Sequence, residues 1–236
     1  VAYLGDLVYP VGVRPPSDPA HARDTTILHA QLRILLDREG RPSGAAGLWI
    51  PGNHDWGNIG DARGVRRLAE TERVVDRWAA SGVPAIATPR GGTLAPEVFA
   101  PTPRHRLATL DTQARLAADE ARVRAASDTL RATLDALPPD ATVIVLAHHP
   151  LRTGGVHGPG RPLGDAFGVL ARAGAIVQDV DATPYRRMVE AIDDVMSGDR
   201  RPLLWANGHD HNVQFFNRRE RDSGPVWELT TGSGSK

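Results

Sequence analysis

Short apolar runs alternate along this chain with longer segments of helical period. Residues 1–4, 48–50, 107–110, 142–147 and 202–206 read as buried strands, because each is a brief apolar run bounded by turn residues. Residues 212–217 alternate in polarity and 226–229 follow Gly224-Pro225, so both read as strands too. Between these runs, 25–38 carries Ile27, Leu28, Leu32, Leu35 and Leu36 at helical spacing, and Gly40 and Pro42 stop it. Residues 61–80 form a charged amphipathic helix with Val65, Leu68, Val74, Val75 and Trp78 as its inner stripe. Residues 115–137 read as one long helix or two joined ones, and 184–196 as a helix with Pro184 in its first turn. The stretch 14–22 is loop, and 85–103, rich in proline and glycine, is irregular or a short hairpin. Residues 154–168 hold six glycines and two prolines, a loop of the length that usually serves function or moves. Strands alternating with helices, then a strand-rich final third, predict a mixed α/β sandwich rather than an all-parallel sheet.

Composition narrows the picture. With 236 residues, one large α/β domain spanning 1–236 has material for a proper core. Lys+Arg and Asp+Glu both number 28, so nothing favours a nucleic-acid or anionic-membrane partner. No apolar run approaches the roughly 20 residues of a membrane span. The chain has no cysteine, which rules out disulfides and thiolate metal sites. A metal here must be held by His, Asp, Asn or Tyr, a set that suits Fe, Mn or Zn.

Candidate chemistry sits at four strand ends, where open α/β sheets place their ligand sites. Asp6 and Tyr9 follow 1–4, Gly52-Asn53-His54-Asp55 follows 48–50, His148 and His149 follow 142–147, and Gly208-His209-Asp210-His211 follows 202–206. Taken singly these residues have ordinary readings: Asp6 as a turn or capping residue, Asn53 as a residue tolerant of a left-handed turn. Together, in this order, they point to a metal site. Two hydrolytic ions about 3.5–4 Å apart need one shared ligand and separate terminal ones. The carboxylate of Asp6 is the expected bridge, its two oxygens reaching both ions. Asn53 offers an amide oxygen, His148, His209 and His211 offer nitrogens, and a Tyr9 phenolate would favour trivalent iron. His21, His29 and His105 read as surface residues.

The motifs Gly5-Asp6-x-x-Tyr9, Gly52-Asn53-His54-Asp55, Val145-x-x-His148 and Gly208-His209-x-His211 resemble those of the calcineurin-like metallophosphoesterases. Tyr9 makes the chain most similar to the purple, tartrate-resistant acid phosphatase branch. Leu110-Asp111-Thr112, His148-His149-Pro150 with Gly154-Gly155-Val156-His157-Gly158, and the run from Gly208 to Gln214 extend the resemblance over nearly the whole chain; 85–105 and 161–181 match nothing in it. The resemblance implies a four-layer αββα sandwich with mixed sheets. It implies one ion on Asp6, Tyr9 and His211 and another on Asp6, Asn53, His148 and His209. It favours Fe(III) with a divalent Fe, Zn or Mn, or else a Mn/Zn pair. It further implies His54 facing a substrate phosphate, His157 as an outer histidine, and Asp55 orienting His54 or its turn. The expected reaction is hydrolysis of a small phosphorylated substrate, foremost a phosphomonoester. A phosphodiesterase or nucleotidase of the same superfamily is the alternative, and a non-catalytic fold relative the rival. No nucleic acid and no obligate protein partner are expected, and membership of this branch favours an exported protein. The family's first motif, Asp-x-Gly or Asp-x-His, is expected upstream of residue 1, and a last strand beyond residue 236.

Overall fold

A computed structural model describes residues 1–58, 60–158, 177–197, 202–218 and 224–232. Most of the glycine-rich 154–168 stretch therefore lies outside the described residues. The chain is a mixed α/β fold with two sheets. The first is parallel, in the order β1 (Ala2–Tyr3), β2 (Gly47–Trp49), β3 (Ala85–Ala87). The second is mixed, in the order β4 (Glu97–Phe99), β5 (His105–Thr109), β6 (Thr142–Leu146), β7 (Leu204–Asn207), β9 (Trp227–Thr231), β8 (Val213–Asn217). Strands β5, β6, β7 and β9 are parallel, while β4 and β8 are antiparallel edges.

Side-chain alternation along the strands explains how the sheets are covered. Leu48 and Ile50 point to one side and pack with Leu146 and Ala206 of the second sheet. Trp49 points to the other and packs with Leu28, Leu32, Leu68, Val74 and Val75. These belong to α1 (His21–Leu32) and α2 (Ala62–Ala80). In the second sheet Val145 and Trp205 face away from the first and meet Leu130, Leu134, Met188 and Ile192. Those come from α4 (Glu120–Asp135) and α5 (Thr183–Val195). The two sheets thus face each other, with helices on their outer sides. Among the described residues no helix is long and apolar enough to cross a membrane.

The readings of the first helix, of 85–103 and of two surface histidines need correction. Helix α1 starts at His21 rather than residue 25, because Asp24 is its buried first-turn acid, ion-paired to Arg14 at 3.0 Å. It tightens into a 3-10 turn (Arg33–Leu35) and ends before 38, where Leu36 turns extended. The stretch 85–103 is no hairpin: β3 joins the first sheet and β4 the second. Each is three residues long, too short to show a period. Thr88, just past β3, ties the sheets together through its hydroxyl contact with Thr109 of β5, at 2.7 Å. The segment 115–137 takes the second of its two expected forms, two joined helices, α3 (Thr112–Ala117) and α4, parted where Ala118 is extended and Asp119 caps α4 by accepting from Arg122 N. Of the three histidines read as surface, His105 is exposed, whereas His21 and His29 are half-buried. His29 stacks on Trp78, whose indole N–H donates to it.

Candidate metal centre

The parallel pairings bring the four strand ends to one edge of the fold. In register, Tyr3 lies beside Trp49 and Leu146 beside Ala206. The turns after β1, β2, β6 and β7 therefore open side by side. Three of them hold a non-glycine residue in the left-handed region, Asp6 at φ 57°, Asn58 at φ 56° and His209 at φ 60°. Such backbone is costly and clusters at functional sites. The turns also interpenetrate: a methyl group on Gly5 would strike His148 Nδ1, and one on Gly52 would strike Asp6 Oδ1.

The side chains these turns present converge. His148 Nε2 lies 3.3 Å from Asp6 Oδ2, 2.9 Å from Asn53 Oδ1 and 3.2 Å from His209 Nδ1. His209 Nδ1 is itself 3.2 Å from Asn53 Oδ1. The other atom of each group is engaged outside the cluster. His148 Nδ1 donates to the Leu4 carbonyl at 2.7 Å, His209 Nε2 to the Gln178 carbonyl at 3.0 Å, and Asn53 Nδ2 to Asn58 Oδ1 at 2.6 Å. Four acceptors therefore face one another with at most one proton, on His148 Nε2, to share. Spacings of 2.9–3.3 Å match the ligand-to-ligand separations around a small ion held at roughly 2.0–2.2 Å. The residues fit a cation.

On the other side of Asp6, the Tyr9 hydroxyl donates to Asp6 Oδ2 at 3.2 Å and lies 2.8 Å from His211 Nε2. Asp6 Oδ2 thus faces both groups of ligands. Its Oδ1 is occupied by the His54 backbone N–H at 2.8 Å. Oδ2 is therefore the oxygen that both sides of the cluster share.

His148, His149 and His209 also place their nitrogens within 4.8 Å of one another. His149 differs from its neighbours because both of its ring nitrogens have protein partners, Thr112 Oγ1 and Gln178 Oε1, each at 2.7 Å. It packs against the cluster with both ring nitrogens already engaged.

Electrostatics follow burial and these contacts. Burial opposes ionisation of Asp6, yet the His148 charge and hydrogen bond, with His54, hold its carboxyl well below the usual carboxylate range. Burial works against a charged His148, but Asp6 pulls its pKa upward. Burial, reinforced by neighbouring histidines, drives His149 and His209 well below the ordinary value, so both stay neutral. A neutral imidazole is the form that ligates.

Of the three residues expected to act beside the metals, His54 lines the cleft. Its ring is held by donation from Nδ1 to the Pro10 carbonyl at 2.6 Å, and it packs on Tyr9 at 4.2 Å between centroids. Asp55 does not touch the His54 ring. It is fully buried and its Oδ2 accepts from Asp6 N at 2.7 Å and Gly52 N at 2.9 Å, so it laces the first two turns together. Burial and the nearby Asp6 push its carboxyl up to about 7. The His157 ring lies 4.2 Å from that of His209, and its backbone N–H donates to buried Asp210 at 3.2 Å. Asp6, Tyr9, Asn53, His54, His157 and both histidines of the last turn border a cleft of about 530 Å³.

Residues that sequence reasoning passed over support this cluster. Asp210 accepts from the Thr153 hydroxyl, and Gln214 Nε2 donates to that same hydroxyl at 2.9 Å, which pins the loop carrying His157. Glu228 lies fully buried in β9 and accepts from Leu151 N at 2.6 Å and Arg152 N at 3.1 Å, bracing the loop after β6. A glutamate inside the apolar run 226–229 was a usable signal. Gln178, in a stretch without periodicity, gave none.

No family model matches this chain, and no curated protein matches it. Among solved structures it is similar to GAP50, the anchor in the inner membrane complex of Plasmodium, at 14% identity and a TM-score of 0.52. That match covers 99% of this chain and 61% of GAP50, so the chain spans about six-tenths of its length. The likeness is one of fold. Phosphopantetheinyl hydrolase (PptH) from Mycobacterium tuberculosis is matched at 12% identity and a TM-score of 0.46, over 98% of this chain and 78% of that one.

Proposed function

We propose that this chain is a metal-dependent phosphoric ester hydrolase of the metallophosphoesterase type, acting foremost on phosphomonoesters. One observation carries the reading: a single oxygen, Asp6 Oδ2, faces His148 on one side and the hydroxyl of Tyr9 on the other, at 3.3 and 3.2 Å. Asn53 and His209 complete the first group and His211 the second. The facing sheets flanked by helices support the four-layer αββα sandwich of that family. Asp6, Asn53, His148 and His209 would hold one ion, and Asp6, Tyr9 and His211 the other, with Fe(III) beside Fe, Zn or Mn(II) the favoured pair. Bound there, such ions supply Lewis acidity to the phosphate and a water of near-neutral pKa.

The chain's own residues then do the following. Neutral His209 and Asn53 orient their lone pairs through bonds made away from the cleft. His54, with Nδ1 fixed on Pro10, keeps Nε2 as the nitrogen that carries and delivers a proton to the leaving oxygen. Asp55 holds the turns of Asp6 and Asn53 in mutual register and is a positioning residue. His157 lines the cleft beside His209 and meets the substrate as an outer histidine. The GAP50 likeness supports a second reading, a non-catalytic anchor on the same fold, since fold does not fix function.

Hydrolysis of an aryl phosphomonoester beside an aryl phosphodiester, with and without a chelator, tests the proposal. Monoester turnover abolished by chelation supports it. Preference for the diester moves the assignment to a phosphodiesterase. Neither turnover nor bound metal returns the chain to the anchor reading.

A further inference from the structure

Gln178 touches two histidines of the site by two different groups. Its backbone carbonyl accepts from His209 Nε2 at 3.0 Å, and its side-chain Oε1 lies 2.7 Å from His149 Nε2. The orientation of its amide is fixed, because Nε2 donates to Gln113 Oε1 at 2.9 Å. With the amide oxygen turned to His149, His149 Nε2 must be the donor. Its Nδ1 is then an acceptor for the Thr112 hydroxyl at 2.7 Å, while the His149 backbone N–H donates to that hydroxyl oxygen at 3.1 Å. The chain of bonds from Gln113 through Gln178 and His149 to Thr112 is internally consistent, with one proton direction throughout.

The segment that carries Gln178 is tied down elsewhere as well. Val180 N donates to the His157 carbonyl at 3.1 Å, and Ala182 N to the Asp179 carbonyl at 2.9 Å. The segment leads directly into α5, whose Tyr185 is fully buried and donates to the Pro150 carbonyl at 2.7 Å. Gln178 therefore stands on a rigid base.

We propose that Gln178 is a positioning residue. Its side chain, clamped between Gln113 and His149, holds its backbone carbonyl against His209, so that His209 keeps the Nε2–H form and turns bare Nδ1 towards Asn53 and His148. The metal-binding part of this inference rests on the phosphoesterase reading; the tautomer part does not. Partners of this kind fix which ring nitrogen is free to ligate, and their loss typically lowers metal affinity about 10- to 100-fold.

The test uses the full chain and Mn(II) alone. In the metal-free protein, imidazole ¹⁵N shifts report the tautomers of His149 and His209. Wild type is expected to show a single Nε2–H form for both. Gln178→Ala is expected to lose that uniformity and to bind Mn(II) about 10- to 100-fold more weakly, with far-UV circular dichroism unchanged. Gln178→Glu, which can accept from His149 but cannot donate to Gln113, should keep the His149 tautomer and bind with intermediate affinity. Wild-type tautomers and affinity in Gln178→Ala would overturn the proposal. If that variant fails to fold, Gln178→Glu decides, and wild-type affinity in it counts against the clamp. A wild-type chain that binds no Mn(II) would sink the phosphoesterase reading, while the tautomer comparison would still decide the role of Gln178.

Discussion

His148 Nε2 and Asp6 Oδ2, brought together from the two sheets, stand 3.3 Å apart, with both side chains buried. Asp6 raises the affinity of His148 for a proton, and a metal ion at that nitrogen must displace it. Affinity for Mn(II) or Zn(II) should therefore rise with pH above the ordinary histidine value of 6.5, with a proton released on binding at the lower end. Calorimetric titration in buffers of different ionisation heat measures both. Affinity that stays flat from about pH 6 to 8 would remove His148 from the ligand set.

Loss of ligands should be separable from loss of chemistry. Asn53→Ala and His209→Ala are expected to lose metal and turnover together. His54→Ala should retain metal and slow turnover about 10²–10⁴-fold, the usual contribution of a positioned proton donor. Metal content by mass spectrometry beside phosphomonoester turnover distinguishes the two. A His209→Ala protein with full metal and full rate would show the assignment to be wrong.

Asp55 makes stability depend on pH in a definite direction. Burial lifts its carboxyl from 3.8 to about 7, so between those values the folded chain holds a proton that the unfolded chain has released. Stability from this group falls as pH rises through that window. Asp55→Asn removes the titration and keeps an oxygen for the N–H groups of Asp6 and Gly52. In the presence of a chelator, the melting temperature of Asp55→Asn relative to wild type should climb from about pH 4.5 to 7.5. A constant difference would mean that Asp55 is ionised in the fold throughout.

Tyr9 would report which metal pair the proposed site takes. A phenolate on Fe(III) gives the protein a visible absorption band, and Tyr9→Phe should abolish the band while the Asn53, His148 and His209 group still binds a divalent ion. A colourless iron-loaded wild type would favour the Mn/Zn alternative and leave Tyr9 as a hydrogen-bond donor to Asp6.

The sequence carried most of the side chains that cluster at the candidate site because a turn after an apolar run is a local pattern, and Asp6, Asn53, His148, His209 and His211 each sit in one. It did not carry the roles that depend on contacts between turns. Asp55 reads from sequence as orienting His54 or its turn; it holds the turn, through Gly52, and its further bond across to Asp6 was not legible. Gln178 acts by a backbone carbonyl and an amide, neither of which leaves a periodic trace. The split of 85–103 between two sheets was equally hidden, since the pairing partners of β3 and β4 lie in β2 and β5. The helices of 25–38 and 61–80 were legible from their inner stripes, but the start of α1 was set by the ion pair of Asp24 with Arg14 rather than by periodicity.

The alignment of β6 with β7 has a consequence for how the chain reaches its native form. Leu146 pairs with Ala206, and His148 and His209 follow within two and three residues. A slip of one residue between these strands would displace one histidine by roughly 3.3 Å. That equals the whole distance of 3.2 Å from His209 Nδ1 to His148 Nε2. A chain out of register would lose the approach of His209 to His148 and Asn53. An ion bound at this edge would therefore stabilise the properly paired chain over a mispaired one.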